Sequence, residues 1–300
     1  MFDESEYADA SSLTEDQKVA HYQSVLSPSP DEPSFSRSLP DPRPFKDFLS
    51  QTSAYLDRWP LALVGEVGLD KSFRIPEAWL PEQTDIRDDG LTPGGREGRR
   101  LSQYRVSMDH QRKVLRAQLR LAGEKRRAVS IHGVQAHGIV YETLAETWKG
   151  HERQVLSNRD RKKQGKMSEA MVGLNEGEEE GVDSSAPLPY PPRVCLHSYS
   201  GPAEAIKQYI APSVPCEVFF SFSTTINAWS KGGDGKVEAA LRAAPDQRIL
   251  VESDLHTAGK DMDRYLEAAV TTVCRIKGWK LDAGVIQLRE NWRAFVFGKR

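Results

Sequence analysis

Four short apolar runs, each ending in a residue type that binds metal, constrain this sequence more than any other feature. They are Leu61–Glu66, Ala128–His132, Arg193–His197 and Arg248–Asp254. A short apolar run bounded by turn signals reads as a buried strand. In a (β/α) barrel the strand ends converge on one face, and functional side chains gather there. A Glu, two His and an Asp delivered to that face would form a site for a hard cation or for zinc. One such run carries no weight; four with the same placement do.

The rest of the chain fits an α/β protein of limited core. Apolar residues make up 38% of the 300 positions and the net charge is −2, with a mean hydropathy of −0.57. That balance argues against coating nucleic acid by bulk charge, though not against a local basic groove. Cys195, Cys216 and Cys274 are scattered and odd in number, which suits buried thiols in a reducing compartment. No apolar run reaches the roughly 18–20 residues of a membrane span, and the acidic start lacks a signal-peptide core. A soluble cytoplasmic or nuclear protein is expected.

Residues 1–45 read as a poorly ordered segment, with one short helix over Ser12–His21 and Pro/Ser-rich loop after it. Residues 46–300 read as the folded domain. Phe45–Trp59 and Ser102–Glu124 have helical periodicity, separated by a first strand and a long Gly/Pro/Arg-rich connection. After strand Ala128–His132 and helix Ile139–Trp148, residues 150–192 change character. A basic run, Asn158–Lys166, precedes an acidic one, Glu176–Gly181, and prolines close the segment. This is expected to be a disordered insertion. Strands Arg193–His197, Cys216–Phe222 and Arg248–Asp254 then alternate with helices to the end of the chain. Five strands alternating with helices imply a parallel sheet.

Each candidate site residue has an ordinary alternative. A strand-end His is often only a satisfied polar group, and an Asp or Glu there often caps the next helix. The joint pattern favours a metal site. Glu66 lies in Gly65-Glu66-Val67-Gly68-Leu69-Asp70, whose glycines allow a sharp turn after the strand. A carboxylate can bridge two cations, so Glu66 suits a shared ligand. His132 and His197 offer imidazole nitrogen. Asp254 could bind a cation and take a proton from water. Glu252 alternates with Asp254 along the strand, so both could face one interior. His256 could line the same pocket. His137 falls where a helix should start and reads as surface or support. His21, His110 and His151 have no partner pattern.

Those motifs resemble the TatD-related metal-dependent deoxyribonucleases of the amidohydrolase-like barrel superfamily. Gly65–Asp70 matches G-E-[IV]-G-L-D, His132 matches the fifth-strand histidine, His197-Ser198-Tyr199-Ser200-Gly201 is similar to H-C-F-S-G, and Glu252-Ser253-Asp254 to E-T-D. Leu69–Pro76 and Val129–Val134 look closer to a fungal branch named for interaction with an anaphase-promoting-complex subunit. The resemblance implies a TIM-type (β/α) barrel and a hydrolase that cleaves phosphodiesters, DNA above all. It implies one or two divalent ions (Zn, Mn or Mg), with no organic cofactor. Glu66 would bridge, His132 and His197 would complete one centre, and Asp254 would serve the other and activate water. Three departures stand out. Val134 replaces the Arg of H-x-R, and His256 replaces the Pro of E-T-D-x-P. The first-strand D-x-H-x-H has no counterpart, because no H-x-H occurs in these 300 residues. The first three βα units are therefore expected to be missing and activity impaired. The competing expectation is a catalytically inactive, barrel-derived protein-interaction module.

Overall fold

The computed structural model describes residues 1–7, 11–78, 99–155, 187–223, 235–255 and 258–298. His256 and most of the expected insertion (156–186) lie outside the described residues.

The order begins with α1 (Glu15–Val25), β1 (Leu26–Ser27), α2 (Pro33–Ser38), α3 (Phe45–Arg58), β2 (Val64–Asp70), β3 (Arg105–Val106) and α4 (Met108–Glu124). It continues with β4 (Val129–Val134), α5 (His137–Trp148), β5 (Arg193–Leu196), α6 (Ala203–Tyr209), β6 (Glu217–Ser223), α7 (Lys236–Ala243), β7 (Ile249–Glu252), α8 (Lys260–Lys277) and α9 (Leu281–Phe297). Local signals explain several boundaries. Thr14 and Gln17 form a reciprocal capping box that starts α1. Ser107 caps α4 through His110 N–H, so that helix begins six residues later than the expected start at Ser102. The two residues just before the cap, Arg105 and Val106, pair instead with Ser27 and Leu26.

Strands β2, β4, β5, β6 and β7 form one sheet in that order, and every neighbouring pair is parallel. The order follows the chain without reversal. A doubly wound sheet reverses its order at a switch point and carries helices on both faces. A sheet that never reverses keeps its crossovers on one side, as in a (β/α) barrel. The packing agrees. Val129, Ile131, Val194, Leu196, Val218, Phe220, Phe222 and Ile249 form the main core with apolar residues of α4 to α8, among them Leu115, Leu119, Leu144, Ile206, Leu241 and Val273.

The opposite face has two ends of different chemistry. Near the strand starts, Ala128, Cys195, Phe219 and Leu250 pack under Phe295 of α9. Asn291 of α9 donates to the carbonyls of Asp246 and Ile249, fastening the helix to the start of β7. Two residues further along each strand, on the same face, stand Ser130, His197, Ser221 and Glu252, then His132, Ser223 and Asp254. One face thus runs from a dry floor to a polar rim.

In the opening segment α1 overlaps the expected Ser12–His21 helix, β1 and α2 follow it, and Phe2 is only 1% exposed. The capping box and the 2.8 Å Lys18–Asp41 ion pair tie it down, and Val19, His21 and Leu26 are buried. The flanks of the expected insertion are also anchored. Arg153 N–H donates to Ser213 O, and Leu188 N–H to Gly123 O.

Candidate metal centre

β2 is the strand that departs most from its sequence reading. The glycines of Gly65–Asp70 do not end the strand; it runs on to Asp70. The register slips between Val64 and Val67, after which Gly68 pairs with His132. A Cβ on Gly68 would lie 2.0 Å from the carbonyl oxygen of His132, and φ there is +159°. The glycine is needed for close approach of two strands rather than for a turn. The slip turns Glu66 toward the polar rim, beside His132.

At that rim His132 Nδ1 is 2.6 Å from Glu66 Oε1. His197 Nε2 lies 3.5 Å from the same Glu66 oxygen and 3.0 Å from Asp254 Oδ1. Glu252 Oε2 is 2.8 Å from His197 Nδ1. Ligand atoms of Glu66, His132 and His197 fall within 4.8 Å of one another, and so do those of His197, Glu252 and Asp254. The two groups share His197. Asp70, which sequence reading passed over, reaches within 3.9 Å of His132 Nε2. Its other oxygen takes three hydrogen bonds from Ser72 and Phe73, and Gln111 holds its backbone at both N–H and C=O. Val134 pairs with Asp70 at the end of the sheet. His137 starts α5 and packs on Tyr199 at 5.7 Å between ring centres, behind His197 rather than in the cluster.

The electrostatics are those of a cation site. Burial works against a charge on His197, but Glu252, Glu66 and Asp254 outweigh it and hold its pKa up to about 9. The hydrogen bond to Glu66 raises His132 against burial, and the same bond lowers Glu66. Burial raises Asp254, helped by Glu252 and Glu66 and opposed by His197. Two imidazoles thus sit among an excess of carboxylates. That surplus of negative charge, with nitrogen and oxygen donors converging, fits a divalent cation.

A family model described as "TatD related DNase" matches residues 40–296. The chain is 35% identical over 283 residues to the Cut9-interacting protein scn1 of Schizosaccharomyces pombe, covering 94% of this chain and 76% of that protein. It is 26% identical over 290 residues to an uncharacterized deoxyribonuclease of Saccharomyces cerevisiae, covering 93% and 75%. The crystal structure of a TatD homologue from Escherichia coli superposes with a TM-score of 0.48 at 15% identity, over 85% of this chain and 71% of that one. Among the described residues no helix is long and apolar enough to cross a membrane.

Proposed function

This chain belongs to the TatD-related DNase family, and from that premise we propose that it is a metal-dependent hydrolase of phosphodiester bonds, with DNA as its substrate class. The observation that carries the reading is the convergence of Glu66, His132 and His197 on one point, with Asp254 beside His197. Glu66 Oε1, His132 Nδ1 and His197 Nε2 would hold a cation, and Asp254 lies where a second ligand or a base is needed. A divalent ion supplies Lewis-acid polarisation of a phosphoryl oxygen and a nucleophilic water at neutral pH. Asp254 Oδ1, 3.0 Å from His197 Nε2, would accept a proton from water activated at that site. Glu252 accepts from His197 Nδ1–H and keeps the ring in place.

The purified protein should contain divalent metal by elemental analysis and degrade DNA in an EDTA-sensitive way. Glu66→Ala and Asp254→Ala should each abolish the cleavage. A folded protein that holds no metal and stays inactive with added Mg²⁺, Mn²⁺ or Zn²⁺ sinks the proposal.

The name of the fission-yeast relative, a Cut9-interacting protein, favours a second reading, a protein-interaction module that keeps site residues without using them. It calls for an intracellular protein partner, nuclear or cytoplasmic. A pull-down that survives Glu66→Ala, from a protein without nuclease activity, supports this reading over the first.

A further inference from the structure

Glu252 is the most heavily bonded carboxylate of the site, and it stands behind His197 rather than on the open side of the cluster. Its Oε2 receives His197 Nδ1 at 2.8 Å and the Ser221 hydroxyl at 2.7 Å. Its Oε1 receives the backbone N–H of Ser198 at 2.7 Å and also the Ser198 hydroxyl. Four donors from β6 and the turn after β5 therefore fix one side chain of β7. The Ser198 hydroxyl also lies 3.2 Å from that of Ser223, and Ser221 takes a contact from Cys195 Sγ at 3.4 Å. A row of small polar groups thus backs the carboxylate along the inner face.

This arrangement decides which nitrogen of His197 is presented. With Nδ1 held by Glu252, only Nε2 faces Glu66 and Asp254. A carboxylate on the far nitrogen sets ring orientation and raises ligand basicity in metal-binding histidines generally. Ser198 stands where the H-C-F-S-G pattern carries cysteine. A hydroxyl donating to a carboxylate makes a strong, charge-assisted bond, whereas a thiol is a weak donor. Ser198 also has φ of +42°, and in that conformation its N–H and hydroxyl both reach the same Glu252 oxygen.

We infer that Ser198 is a positioning residue that acts through Glu252 to lock the His197 ring with Nε2 toward Glu66 and Asp254. Its consequence for metal binding rests on the hydrolase reading above; the locking of the ring does not. The bland alternative is that Ser198 merely closes the turn after β5, leaving the ring indifferent to it.

The test uses the full chain labelled with ¹⁵N-histidine and stripped of metal with EDTA, with His197→Gln to identify the ring signal. The Nδ1–H of His197 should exchange slowly in the wild type. In Ser198→Ala it should pass into fast exchange, and affinity for zinc chloride by calorimetry should fall about ten-fold, the lower end for partners that support a ligand. Ser198→Cys, nearly isosteric, should fall between the two and gives the same reading if the alanine variant does not fold. A slowly exchanging ring proton in either variant, equal to wild type, overturns the inference whatever zinc does. A wild type with the protected ring proton but no zinc binding overturns the hydrolase reading instead, and leaves the positioning role standing.

Discussion

The molecule contains two histidine pairs of nearly equal spacing and opposite character. The rings of His132 and His197 are 6.2 Å apart, those of His21 and His110 6.0 Å. The first pair sits among Glu66, Asp70, Glu252 and Asp254, and its pKa values are raised. The second is packed with Phe2, Tyr7 and Tyr22. Burial drives His21 down to about 4, with the Met1 amino group and His110 pushing the same way, and His110 is lowered too. Proximity of two imidazoles is thus no sign of a cation site. The charge of the groups around them is what separates the candidate site from a piece of core.

That contrast can be broken most directly by metal. His197→Ala should lower zinc affinity by more than the roughly 10–100-fold seen when only supporting partners are lost, while His21→Ala leaves it unchanged; calorimetry on both variants decides. Equal losses would dissolve the distinction.

Stability should separate two acidic residues of the first pair's surroundings. Glu252→Ala removes the acceptor shared by the Ser198 and Ser221 donors and His197 Nδ1 in a half-buried setting, at a cost of about 1–3 kcal/mol. Glu66, with its side chain 49% exposed, should change stability by no more than about 0.5 kcal/mol when cut to alanine. Urea unfolding of the metal-free variants checks both.

The pH responses should have opposite signs. His21 has a folded pKa below its unfolded value, so the unfolded chain binds the proton more readily. Stability is lost as pH falls from about 6.5 toward 4. His197 has a folded pKa above its unfolded value. Its contribution to the metal-free protein is complete below about 6.5 and is lost as pH rises through about 9. Urea midpoints between pH 4.5 and 9.5 should show a His21→Phe variant with a flatter acid limb and a His197→Gln variant with a flatter alkaline limb. A last effect concerns the helix that carries His21. Thr14→Ala removes its capping box and should cost about 1 kcal/mol by thermal unfolding.

Much of this was legible in the chain. The apolar runs mark β4, β5 and β7 and, starting three residues early, β2, because a short apolar run bounded by turn signals reads as a strand. The face shared by Glu252 and Asp254 follows from strand alternation. What could not be read depends on partners far apart in sequence. The buried state of His21 requires His110 and Phe2, which no local period links to it. The anchoring of Glu252 needs Ser221 and Ser198, 31 and 54 residues away. The path of β2 past its glycines depends on how closely β4 lies against it, and Asp70 drew no notice because its contacts come from Gln111 and the turn that follows.

Gly68 sets the gauge of the site. Any side chain there would meet the His132 carbonyl, so β2 could accept one only by standing off from β4. The oxygen of Glu66 and the nitrogen of His132 would part with it. The width of the cluster is thus written in the backbone, by a residue that binds nothing. Variants that keep all four candidate ligands would still lose the cluster, and screens that score only residue identity would count them as intact.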